Sequence, residues 1–132
     1  MVAGILIVDD DEDIRQALAE ALTDVGYAVL TAPNGQIALE RLRPQRTGWV
    51  VLLDLMMPVM DGLTFLQTVA TEPALAMHHG YILMSATIKT LPRAAAERLR
   101  HLRVSSLGKP FDLEEMLLAV EKAARRLPQA PF

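Results

Sequence analysis

Short runs of Ile, Val and Leu alternate along this chain with longer stretches in which apolar residues recur every three or four positions. The runs are Gly4 to Val8, Tyr27 to Thr31, Trp49 to Leu53, Tyr81 to Ser85 and the weaker Val104 to Leu107. An unbroken apolar run of this length marks a strand buried on both faces, as in a parallel sheet covered by helices. Between the first two runs, Ile14, Ala17, Leu18, Ala21, Leu22 and Val25 form one apolar stripe of helical period. The same spacing returns in Leu63, Leu66 and Ala70, in Leu91, Ala95, Leu99 and Leu102, and in Leu113, Met116, Leu117, Val120 and Ala124. The stretch from Asn34 to Arg43 is less periodic but is also read as a helix.

Turn chemistry fits these boundaries. Asp61-Gly62 is a turn and a helix start, Pro92 suits an early helical turn, and Pro110 stops the fifth strand. Five strand-helix units predict an α/β fold, a doubly wound three-layer domain. In such sheets sites form beyond the carboxyl ends of the strands, where the strand order reverses.

Composition narrows the picture. At 132 residues there is room for one domain, expected over 1–127, with 128–132 as a tail or linker stub. Lys+Arg 13 against Asp+Glu 16 gives a net charge of −3, which argues against direct nucleic-acid binding. The absence of cysteine rules out disulfides, thiolate metal sites and a cysteine nucleophile, and makes the cytoplasm the expected compartment. The apolar start MVAGILIV lacks a basic leader, and the stretch from Trp49 to Met60 is cut by Asp54 and Pro58. Neither a secretory signal nor a membrane span is expected.

The strand ends carry the chemistry. Asp9 and Asp10 follow the first run, Asp54 the third, Ser85 closes the fourth and Lys109 follows the fifth. Part of the Asp9 to Asp13 cluster is expected to cap the first helix. Asp54 sits at the rim of a buried sheet, which makes it harder to dismiss as a merely solvated loop aspartate. If Asp9, Asp10 and Asp54 converge to about 4 Å, each pair repels by about 4 kcal/mol at an effective dielectric near 20, so a counter-cation is needed. Oxygen donors alone, with waters and a phosphate, suit Mg²⁺.

Taken together, ILIVDDDEDIR, LLDLMMPVMDG, ILMSAT and LGKPF resemble the signatures of the response-regulator receiver domain, the CheY-like family, over nearly the whole chain. The resemblance implies a flavodoxin-like sheet of order 2-1-3-4-5 and a cis Lys109-Pro110 bond. It makes Asp54 the phosphoacceptor, with Mg²⁺ held by Asp9, Asp10, Asp54 and the Met56 carbonyl, and with Lys109 and Ser85 on the phosphoryl oxygens. Met56 and Thr87 would flank the phosphoryl group. The implied partners are a sensor histidine kinase or phosphotransfer protein and a downstream effector, with a phosphorylation-dependent dimer also open. Such a module is a signalling switch rather than an enzyme with turnover.

The chain departs from the family where an aromatic residue usually stands three positions before the lysine, since Ser106 occupies that place. Leu102-Arg103 also replaces the usual Gly-Ala before the fifth strand, so the preceding helix is expected to end differently. Arg93, Arg98, Arg100, His101 and Arg103 form either a solvated helix face or a basic docking face. The adjacent His78 and His79 are assigned no role. Rival readings are a degenerate receiver acting as a phosphorylation-independent interaction domain, and an aspartyl-phosphate phosphatase of the haloacid dehalogenase type using Asp9 as nucleophile. A flavin module is disfavoured because DDDED would repel its phosphate.

Overall fold

The computed structural model describes residues 3–85 and 93–128, without the side chains of Ala95, Ala96 and Arg98. The chain order is β1 (Gly4–Val8), α1 (Glu12–Asp24), β2 (Ala28–Ala32), α2 (Gly35–Leu42), β3 (Trp49–Asp54), α3 (Gly62–Ala70), α4 (Pro73–His78), β4 (Gly80–Ser85), α5 (Arg93–Arg98), β5 (Arg103–Gly108) and α6 (Leu113–Arg125). The five strands are all parallel, in the order β2-β1-β3-β4-β5. The fold is the expected doubly wound α/β sheet.

Alternation along the central strands divides the core in two. Leu6, Val8, Val51, Leu53, Tyr81 and Leu83 face α2, α3, α4 and the Leu99 and Leu102 pair. Ile5, Ile7, Val50, Leu52, Ile82 and Met84 face α1 and α6 through Leu18, Leu22, Met116 and Val120. Each face of the sheet is therefore sealed by helices, which is why these strands read as continuous apolar runs.

The second strand begins one residue later than the sequence pattern suggests, because Tyr27 belongs to the end of α1. Its amide donates to Leu22 O, and that of Gly26, at φ 103°, donates to Thr23 O. This pair of bonds closes the helix with a left-handed glycine, which a side chain there would strain.

Between β3 and β4 the single expected helix is two. Pro73, at the start of α4, sets the new helix, and its six residues bury Leu75 and Ala76. The weakest strand, β5, is real and lies at the sheet edge with Arg103 and Ser106 exposed, which explains its thin apolar pattern. Leu91 and Pro92, expected in the helix before it, lie outside the described residues. That helix closes without a left-handed residue at Leu102, which is buried and bonds its amide to Leu99 O.

Candidate phosphoacceptor and metal site

The strand order reverses between β1 and β3, and the two strands run in register, Val8 beside Leu53. Their next residues, Asp9 and Asp54, therefore emerge side by side at the carboxyl edge. Both are buried, at 1% and 8% exposure. Asp10 is exposed beside them, and one carboxylate oxygen from each of the three lies within 4.8 Å of the others.

Lys109 reaches this cluster from the end of β5. Its amide donates to Ser85 O at 2.8 Å, which seats the residue beside the end of β4. Its Nζ then lies 3.4 Å from Asp54 Oδ1 and 3.8 Å from Asp9 Oδ2. The Lys109-Pro110 peptide is cis. Ser85 is buried at the same edge. The structure thus brings together Asp9, Asp10, Asp54, Ser85 and Lys109, while Thr87 lies outside the described residues.

Local backbone explains the positions. Asp11 is the residue of the acidic run that caps α1, its side chain accepting from the amides of Asp13 and Ile14. Capping by Asp11 leaves Asp9 and Asp10 for the site. Beyond Asp54, the Met56 amide lies 3.4 Å from Asp54 Oδ1, and the Met56 side chain is 76% exposed at the mouth. Gly62 starts α3 directly against the end of β3, where a Cβ would come within 2.6 Å of Asp54 O and 2.9 Å of Leu55 Cα.

The donor set fits a hard divalent cation. It is all oxygen and net negative, and Asp9 Oδ2 is buried without a hydrogen-bond donor among the described residues. Burial, more than any other cause, raises the Asp9 carboxyl above the ordinary carboxylate value; Asp54 and Asp10 add to this, and the Asp11 amide and Lys109 oppose it. A cation would reverse that cost.

The family model for the response regulator receiver domain matches residues 5–121. The chain belongs to the response-regulator receiver domain family. A probable chemotaxis protein CheY of Rhizobium etli is 33% identical over 118 residues, 89% of this chain and 88% of that protein. The DNA-binding transcriptional regulator NtrC of Escherichia coli is 37% identical, over 93% of this chain but 25% of its own length. Relatives of this receiver domain are thus both single domains and the receiver parts of longer proteins. The solved chemotaxis protein CheY4 of Vibrio cholerae has a TM-score of 0.77 and 30% identity, covering 93% of this chain and 99% of that one. The receiver belongs to two-component signalling, and no helix among its described residues is long and apolar enough to cross a membrane.

Two features of this receiver were not readable in advance. His79, assigned no role from sequence, is fully buried, and its Nδ1 accepts the Trp49 amide at 2.9 Å, fixing the start of β3. Burial, helped by His78, lowers its pKa to about 4. The basic stretch before β5 is also partly structural. Arg103 donates to Met77 O at the carbonyl end of α4, where a cation is favoured, and His101 Nε2 lies 3.4 Å from Ala70 O at the end of α3. Arg93 and Arg100 remain exposed.

Proposed function

We propose that this receiver is a phosphorylation-driven switch whose acceptor is Asp54. The observation that supports the reading is the Asp54 carboxylate itself: buried at the sheet edge, in contact with the Lys109 ammonium, and crowded by two further aspartates.

Asp9, Asp10, Asp54 and the Met56 carbonyl would hold Mg²⁺, which when bound neutralises charge on the carboxylates and the incoming phosphoryl group. An Asp54 oxygen attacks phosphorus as the bond from phosphorus to the donor breaks. The donor is the phosphohistidine of a sensor kinase or phosphotransfer protein, or a small acyl phosphate, leaving as imidazole or carboxylate. Lys109 and the Ser85 hydroxyl receive the phosphoryl oxygens, so the chain supplies positioning and charge rather than a proton relay. Hydrolysis of the acyl phosphate returns Asp54 and inorganic phosphate. The module is a switch in the cytoplasm, passing its state to an effector by shifting a pre-existing equilibrium, with dimerisation on phosphorylation as one form of output.

Asp9 is a poorer nucleophile than Asp54, since it is nearly inaccessible and one of its oxygens accepts the Asp11 amide. The test is intact mass after incubation with Mg²⁺ and acetyl phosphate. One phosphoryl adduct on wild type and none on Asp54→Ala is expected. No adduct, together with no binding of beryllofluoride, would leave a phosphorylation-independent interaction domain.

A further inference from the structure

Asp9 is held by the fold at three of its polar atoms. Its amide donates to Ala32 O on β2 at 3.2 Å, its Oδ1 accepts the Asp11 amide at 2.9 Å, and its main-chain carbonyl accepts Arg15 Nη1 at 2.7 Å. The fourth atom, Oδ2, faces Lys109 and the site. The first two bonds come from main-chain amides; the third alone depends on a partner's side chain. Arg15 stands on the first turns of α1, half-buried, and reaches back across the turn that carries Asp9, Asp10 and Asp11.

We propose that Arg15 is a positioning residue for the acidic site. By gripping the Asp9 carbonyl it fixes the peptide from which the buried carboxylate projects, and it ties α1 to the end of β1 so that Oδ2 is presented in one orientation. The inference deepens the proposed function and rests on its metal site.

Two effects of this side chain on a cation have opposite signs. The guanidinium charge by itself repels a divalent ion, whereas the grip on the carbonyl favours its binding by preorganising a ligand. Removing the side chain therefore tells them apart.

The experiment is titration of the metal-free protein with Mg²⁺ alone, for wild type, Arg15→Met and Arg15→Lys. It is followed by amide chemical shifts near Asp9 and by the rise in melting temperature that Mg²⁺ produces. Arg15→Met is expected to bind Mg²⁺ about tenfold more weakly, the low end of losses seen when a group orienting a ligand is removed. Arg15→Lys, which keeps a donor, is expected to recover most of that loss. Tighter binding by Arg15→Met would make Arg15 a source of charge only. A lower melting temperature in chelator with unchanged Mg²⁺ affinity would make it a brace for α1 only. Either result overturns the inference while leaving the phosphoacceptor reading intact. Failure of wild type to take up Mg²⁺ overturns both, and is a distinct outcome.

Discussion

The Lys109 ammonium lies 3.4 Å from Asp54 Oδ1, and the same residue's amide bonds to Ser85 O at 2.8 Å. One residue just past the edge strand thus links the buried Asp54 to the end of β4. Lys109→Ala removes the cation from three clustered carboxylates and a contact for the transferred group. Phosphorylation by acetyl phosphate should slow by about a hundredfold, the scale of losing one preorganised charge-stabilising donor. Initial rates of adduct formation by mass spectrometry check this.

Asp9 makes the opposite trade. Its carboxyl titrates above the ordinary value in the fold, so the folded state prefers the protonated form, and the stability tied to it is lost as pH rises through the folded pKa. At neutral pH Asp9 is therefore destabilising in the metal-free protein. Asp9→Asn keeps an oxygen for the Asp11 amide, removes the charge that burial disfavours, and should stabilise the chain in urea unfolding with chelator present. The same variant should lose the stabilisation that Mg²⁺ gives wild type.

His79 sets the acid limit. Its pKa falls from the usual 6.5 to about 4 because it is buried, with His78 adding to the effect. A depressed folded pKa means the unfolded chain binds the extra proton first, so stability is present above about pH 6.5 and lost as pH falls toward 4. The loss is about 3 kcal/mol over that window at 1.36 kcal/mol per unit. Urea unfolding of wild type and His79→Gln at neutral and acidic pH measures it, with the variant showing a flatter profile.

The loop after Asp54 carries backbone tension at one position and a steric demand at another. Val59 has φ 68° in a three-residue turn closed by the Met60 amide on Pro58 O, and its side chain is 81% exposed. A β-branched residue is disfavoured there and loses no packing on removal, so Val59→Gly should stabilise by about 1 kcal/mol. Gly62→Ala should destabilise by about 2 kcal/mol, because the new methyl meets the Asp54 carbonyl. Paired denaturation curves test both signs.

Met56 stands exposed at the mouth of the site, two residues past Asp54. On the proposed function, a bulky apolar side chain there would hinder the water that attacks the acyl phosphate. Met56→Asn should shorten the life of the acyl phosphate several-fold, read from the decay of the adduct after donor removal; an unchanged decay rate would contradict that role.

The legibility of these features follows from their physics. The central strands β1, β3 and β4 are buried on both faces, so their continuous apolar runs declared them, and Asp9, Asp54 and Ser85 at their ends declared the edge of the site. The edge strand β5 needs only part of its surface buried, and its pattern is correspondingly thin. Helix α4 is six residues long, too short to show a period of its own, and only Pro73 signals its start. His79 and Arg15 were silent because a side chain bonding a main-chain group leaves no pattern in sequence. Which of Asp9, Asp10 and Asp11 would cap α1 could not be read from five consecutive acids; the structure gives that task to Asp11.

The central claim is that Asp54 carries the phosphoryl group. An acyl phosphate is reduced by borohydride to the alcohol, converting the modified aspartate to homoserine, so peptide mapping after acetyl phosphate, Mg²⁺ and borohydride locates the acceptor directly. Homoserine at position 54 alone is the predicted result. Homoserine at position 9 would indicate the phosphatase-type nucleophile instead, and unmodified peptides throughout would contradict the switch.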